Sequence, residues 1–309
     1  MKSALVLPAL WALLCAAVAA SDKPPPRPSQ QTVREGDDEV LYLDGLADPK
    51  RWRPAECTVS ASEKLKARGR PTVHVHIPVD HHAGQKKYPI GWPRMYLNLK
   101  RPDETPWAEF ERFEFMVHAT MSRGKPPKRV LNLQIHCPAR PHVTNRNLSE
   151  ITLGKWVRVS IPMRQIANVA EVRRLGLNIS ESDYRHGEKL DFRLGAFRLA
   201  RAAEFGLGGL EVRSRVMYAD APVLKLQLDV VGPPQKIGGG LPLTIRRGKE
   251  ILHTETVAVE RGFQSVRIDL TKLKLAPGTY SVIAFAGDEK RQASGGFRVV
   301  ESPWQEGRK

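Results

Sequence analysis

The chain has 309 residues, 41% hydrophobic and 27% charged, with 24 Gly and 24 Pro. Such a length predicts about two domains with enough apolar material for a core in each, and the scattered Gly and Pro exclude a fold of long helices. A formal net charge of +16 predicts anionic partners, and the lack of any RNP, zinc-finger or helix-turn-helix pattern speaks against specific recognition of nucleic acid.

Residues 1–20 read as a signal peptide. Lys2 supplies a short positive region, residues 5–18 are apolar, and Val18-Ala19-Ala20 places small residues before a cut at Ser21. Cys15 follows Leu14, which is too large for the usual lipobox. No later segment approaches the roughly 18 apolar residues of a membrane span. The mature chain is therefore expected to be secreted, periplasmic or cell-surface, with no transmembrane segment. Residues 21–36 contain Lys23-Pro24-Pro25-Pro26-Arg27-Pro28 and predict a Pro-rich, extended spacer.

Residues 37–201 alternate apolar and polar side chains in short runs at 40–43, 72–79, 94–100, 112–119, 130–137, 156–163, 174–180 and 191–200. The segment 165–172 predicts one helical turn. Short strands with little helix predict a jelly-roll β-sandwich. Residues 202–209 read as a linker. Residues 210–301 carry shorter runs at 210–218, 223–231, 241–246, 251–259, 264–270, 278–286 and 296–300, which predict an immunoglobulin-like β-sandwich. A polar tail, 302–309, closes an all-β chain. No internal repeat is visible.

Two resemblances follow from particular residues. Leu43-Asp44-Gly45, Trp52, the stretch from Tyr88 through Trp92 to Arg94, Trp107 to Phe115, Gly154 to Pro162 and Asp191 to Leu199 resemble the galactose-binding-like jelly rolls of carbohydrate-binding modules, over about half the chain. Leu273 to Val282 is similar to the turn into a late strand of bacterial immunoglobulin-like domains. The first resemblance implies a sandwich that binds glycans. It also implies core positions for Trp52, Trp107 and Trp156, and a structural calcium held by the carboxylates of Asp44 and Asp191. The second implies a spacer or interaction module.

Successive strand residues point to opposite faces. One face is apolar: Val73, Val75 and Ile77; Met95, Leu97 and Leu99; Phe113, Phe115 and Val117; Leu131, Leu133 and Ile135; Val157, Val159 and Ile161. The other carries His74, His76, Arg94, Tyr96, Asn98, His118, Asn132, Gln134, His136, Arg158 and Ser160. Planar amide, imidazole, guanidinium and phenol groups can hydrogen-bond sugar hydroxyls. Lys and Glu, the ordinary solvent-facing choices, are missing from Asn132-x-Gln134-x-His136 and from Tyr96-x-Asn98. Two readings stand for this face, a ligand surface and plain solvent exposure or interdomain packing. The loop bearing Tyr88 and Trp92 is stiffened by Pro89 and Pro93. Its rings beside Lys87 and Arg94 suit an anionic sugar through stacking and charge-assisted hydrogen bonds. The candidate carbohydrate-binding residues are thus Tyr88, Trp92, Arg94, Tyr96, Asn98, Asn132, Gln134 and His136.

Other features are weaker. His74-Val-His76 and Asp80-His81-His82 have the wrong spacing for a metallo-hydrolase. Glu109, Glu111 and Glu114 read as solvated charge at a strand start rather than a catalytic pair. Cys57 and Cys137 either pair as a disulfide or lie apart as free thiols. No nucleophile, P-loop or dinucleotide motif is present, so no cofactor is required. The leading expectation is a secreted, non-catalytic carbohydrate-binding protein preferring anionic polysaccharide. The competing expectations are a structural component of the cell envelope that docks other proteins, and a polysaccharide-active enzyme with an unrecognised site.

Overall fold

The alternating runs fold as the strands of two stacked pairs of sheets. The computed structural model describes residues 31–83, 90–99, 106–138, 143–238, 240–286 and 292–304. Its segment Thr32–Lys309 forms one compact unit, an all-β fold of strands joined by loops and short 3-10 turns. No helix among the described residues is long and apolar enough to cross a membrane.

The first sandwich has a seven-stranded and a five-stranded sheet. The larger holds β1 (Val33–Glu35), β2 (Asp38–Tyr42), β4 (Thr58–Ala67), β5 (Arg70–Pro78), β7 (Arg112–Met121), β10 (Trp156–Pro162) and β12 (Lys189–Ala202). Strand β12 is its axis, pairing with β5 and β2 along one edge and with β7 along the other. The smaller sheet runs β3 (Arg53–Ala55), β6 (Arg94–Asn98), β11 (Arg174–Asn178), β8 (Asn132–His136), β9 (Val143–Asn147), all antiparallel. The expected apolar face lies between these sheets: Val73, Val75, Phe113 and Phe115 meet Met95, Leu97, Leu133 and Ile135 in one core. Each such side chain, fully buried, contributes about 1.5–3 kcal/mol.

The second sandwich stacks β13 (Gly206–Val212), β15 (Val223–Val231) and β18 (Gly262–Asp269) on a five-stranded sheet. That sheet runs β14 (Val216–Tyr218), β20 (Gln292–Val300), β19 (Gly278–Phe285), β16 (Leu241–Arg247), β17 (Glu250–Val257). Leu224, Leu226 and Leu228 face Leu243, Ile245, Val282 and Phe297 in a separate core.

Three sequence expectations change. Residues 206–209 are strand rather than linker: Gly206, Leu207 and Gly209 pair with Val231, Val230 and Asp229, and the register slips between Leu207 and Gly209. The glycines that suggested a linker instead permit this irregularity. The segment 165–172 forms two separate 3-10 turns, Met163–Gln165 and Val169–Glu171. Strands β1, β3, β4 and β9 carry no marked apolar alternation and escape a reading by periodicity. All four are sheet edges, where a strand has one neighbour and less to bury.

The two sandwiches meet directly. Glu111 accepts hydrogen bonds from Ala202 N at 3.0 Å and Gly232 N at 2.6 Å. Arg164 pairs with Asp229 at 2.9 Å, and Lys236 with Glu204 at 2.8 Å. Gly232 has φ +116°, and a Cβ there would lie 2.6 Å from Glu204 O, so only glycine fits this crossing.

Candidate functional site

Strand pairing sorts the polar residues into two outer faces. His74, His76, His118, Arg158 and Ser160 belong to the seven-stranded sheet. Arg94, Tyr96, Asn98, Asn132, Gln134 and His136 belong to the five-stranded sheet. Every candidate in the latter set therefore shares one surface. Tyr88 lies outside the described residues.

Register arranges that surface in rows. Arg53, Tyr96, Gly176, Gln134 and Asn145 follow one another across β3, β6, β11, β8 and β9. Arg94, Asn178, Asn132 and Asn147 form the row above; Asn98, Arg174 and His136 form the row below. The five strands contain no Asp or Glu. The Tyr96 ring lies between two guanidinium groups, Arg174 at 4.9 Å and Arg53 at 5.9 Å from its centroid. Arg174 Nε donates to Asn98 Oδ1 at 2.9 Å, and Gln134 Nε2 donates to Asn145 Oδ1 at 3.0 Å. Gly176 offers no side chain at the centre of this shallow trough, and the Gln134 and His136 side chains partly fill the space, 3.4 Å and 3.7 Å from where its Cβ would stand. Burial, and secondly the charge of Arg174, hold the His136 imidazole below its usual range. It is therefore neutral at pH 7 and able both to donate and to accept.

Sequence reasoning missed β11's contribution, although a signal exists. Arg94-Met-Tyr-Leu-Asn98 and Arg174-Leu-Gly-Leu-Asn178 share an Arg-x-x-Leu-Asn pattern. Antiparallel pairing sets the Arg of each against the Asn of the other.

Trp92 stands at the upper end of the trough, 50% exposed. Its Nε1 donates to Asn178 Oδ1 at 3.2 Å, and the Arg94 guanidinium lies 5.4 Å from its ring centroid. Two carboxylates hold its backbone: Glu56 accepts from Trp92 N at 2.6 Å, and Glu181 from Gly91 N at 3.0 Å. A Cβ on Gly91 would come within 2.5 Å of Glu181 and 2.8 Å of Glu56. Glycine is thus what lets both carboxylates reach the loop. Desolvation pushes the buried Glu181 carboxyl above its ordinary range. The Trp92 indole borders an open cleft of about 740 Å³ shared with Glu56, Arg94, Ser180 and Ser182.

The implied calcium ligands are apart. Asp44 follows Leu43, whose N–H bonds Phe197 O. Asp191 lies six residues earlier on β12, about 20 Å along a strand. Each carboxylate already has a cationic or imidazole partner: Arg70 at 2.6 Å for Asp44, His74 at 2.7 Å and His76 at 3.0 Å for Asp191. Partial burial opposes the charge of Asp191, but the bonds from His74 and His76 outweigh it and hold this carboxyl below its usual range. Among the described residues no group of three or more His, Cys, Asp or Glu is placed to hold a metal ion. These two residues do not fit a shared calcium.

Further expectations are corrected or settled. Trp52 and Trp107 are core. Trp156 is not: pairing with His118 puts it on the outer face of the seven-stranded sheet, its ring centroid 5.4 Å from that imidazole. Glu114 is not solvated charge but is 2% exposed, bound to Arg198 at 2.7 Å and Arg112 at 3.0 Å. Cys57 and Cys137 are free thiols.

No family model matches this chain, and no curated protein does. Among solved structures it is similar to the carbohydrate-binding module TmCBM27, described for specific mannan recognition: 14% identity, 55% of this chain and 96% of that one, TM-score 0.30. A CARDB domain from Pyrococcus furiosus aligns at 13% identity over 32% of this chain and 99% of that one, TM-score 0.23. The glycoside hydrolase domain of Endo-D from Streptococcus pneumoniae aligns at 8% over 80% of this chain, TM-score 0.27, and the alignment takes in 36% of that chain. Likenesses this distant bear on neither ligand nor activity.

Proposed function

We propose that this chain is a secreted, non-catalytic carbohydrate-binding protein that holds anionic polysaccharide along the outer face of the five-stranded sheet. One observation carries the reading: five neighbouring strands without Asp or Glu present Arg53, Tyr96 and Arg174 beside Asn98, Gln134 and His136. An exposed sheet face ordinarily mixes both signs of charge. Here guanidinium groups can meet carboxylate or sulfate, amides can meet hydroxyls, and Trp92 and Tyr96 offer rings for stacking.

A glycan array with the mature chain tests this. Anionic glycans should be retained, with retention falling about tenfold or more for Trp92→Ala and for Gln134→Ala, the loss of one good contact. Retention of no glycan overturns the proposal. A second reading, docking of an envelope protein, draws on the groove where the sandwiches meet. There Phe110, Met163, Ile166 and Val169 lie beside Phe263, which is 57% exposed. A stoichiometric protein partner that is indifferent to sugar and lost on Phe263→Ser would favour that reading.

A further inference from the structure

The outer face of the seven-stranded sheet carries polar residues that the trough does not use. At the end of β12 distant from the second sandwich, β4, β5, β12, β7 and β10 lie side by side, and register sets Ser60, His74, Arg193, His118 and Trp156 in one row. The next row holds Thr58, His76, Asp191 and Thr120. Asp191 Oδ1 bonds His74 Nε2 at 2.7 Å and His76 Nδ1 at 3.0 Å, so the one carboxylate of these two rows is engaged by imidazoles. Arg193 is half-buried, yet its side chain has no ion pair or hydrogen bond among the described residues, and none of its nitrogens is sealed from solvent. Its charge falls on His118 instead: burial, and secondly Arg193, hold that imidazole below its usual range. Arg158 and Lys189, both exposed, extend the positive surface along β10 and β12.

A solvent-accessible guanidinium between two imidazoles, with an indole at the end of the row, suits a sugar that carries carboxylate or sulfate. The cation takes the anion, the Trp156 ring stacks, and Ser60 and Thr58 meet hydroxyls. The row crosses four gaps between strands, about 19 Å, which is room for a short stretch of glycan. The two sheets pack through their inner faces, so their outer faces point away from each other and one short glycan cannot touch both. We propose that this face holds a second strand of the same anionic polysaccharide, so that one molecule ties two strands together. This rests on the glycan reading of the trough and deepens it, from binding to cross-linking. Linked sites gain avidity, so loss of either face lowers retention on a dense polysaccharide surface.

The test is isothermal titration of the mature chain with two probes, a galacturonate hexasaccharide and a sulfated heparin hexasaccharide. At least one probe should bind at two sites per chain. Arg193→Gln and Trp156→Ala, each checked for an unchanged melting temperature, should weaken one site about tenfold or more and leave the other within about twofold. Gln134→Ala should do the reverse. With the matching polymer, polygalacturonate or heparin, the wild-type chain should form a network that sediments, and Arg193→Gln should bind without forming one. A single site per chain, or two sites of which neither weakens in Arg193→Gln and Trp156→Ala, overturns the second strand. If Gln134→Ala weakens binding in that case, the trough survives. If neither probe binds at all, both readings fall.

Discussion

At the scale of single residues, burial separates groups of one chemical type. Glu109, Glu111 and Glu114 share one reading in the sequence, yet Glu114 lies under both the Arg198 and Arg112 guanidinium groups, whereas Glu111 meets Arg112 at 3.9 Å. Burial opposes its charge, but the bonds and charge of Arg198, then of Arg112, outweigh that and hold its carboxyl below the ordinary range. A depressed folded pKa adds stability that is present above the unfolded value, about 4.3, and lost as pH falls through the folded one. Chemical denaturation at pH 7 should show Glu114→Ala less stable by about 1.5–3 kcal/mol, because Arg198 loses its charge-assisted bonds to Glu114 and keeps Glu35, at 2.5 Å. The deficit should shrink below about pH 4, once the unfolded-state carboxyl protonates. A deficit constant from pH 7 to pH 3 would show that charge is not its origin. Trp92 was legible because prolines flank it. Asn178 was not, because its burial and its bond from Trp92 depend on a loop distant in the chain.

At the scale of elements, a sheet face has properties that no single strand has. Each of β6, β8 and β11 alternates polar with apolar residues. That the five strands together lack acid follows only once β3 and β9 join as edges. Arg53 and Arg174 flank Tyr96 from strands that are both distant from it in the chain, so the cationic line is a product of pairing. If that line holds anionic glycan, affinity should fall steadily as salt rises, through screening of exposed charge. Arg174→Gln should flatten the dependence and leave neutral-sugar binding within about twofold of wild type, a difference well below 1 kcal/mol. Calorimetry at two ionic strengths checks this, and an undiminished salt dependence in Arg174→Gln would remove the trough from anion recognition.

At the scale of the whole molecule, the two sandwiches have separate cores but a shared seam. Glu111 bridges it with both oxygens, reaching the end of β12 and the residue after β15. The pair Arg164–Asp229 has the geometry of a surface bridge, with Arg164 61% exposed, so its contribution is about 0–1 kcal/mol. Glu111 should matter more, since its loss leaves backbone N–H groups without acceptors. Calorimetry of Glu111→Ala should show a fall of about 2–3 kcal/mol, from charge-assisted bonds lost, and a single unfolding transition separating into two. An unaltered single transition would show that the seam is held elsewhere.

Period-two alternation, an apolar face on each strand and the amide-rich, Lys-poor character of the opposite face were written in the amino-acid order alone. They follow from the pleat, which acts over neighbouring residues and reads out directly as composition. Tertiary structure alone decided which strands became neighbours. It divided the polar residues between two outer faces, drew Asp44 and Asp191 apart and moved Trp156 out of the core. These outcomes depend on contacts between segments far apart in the chain. Such contacts are chosen by how two whole sheets bury their apolar faces together, and no local pattern carries that information.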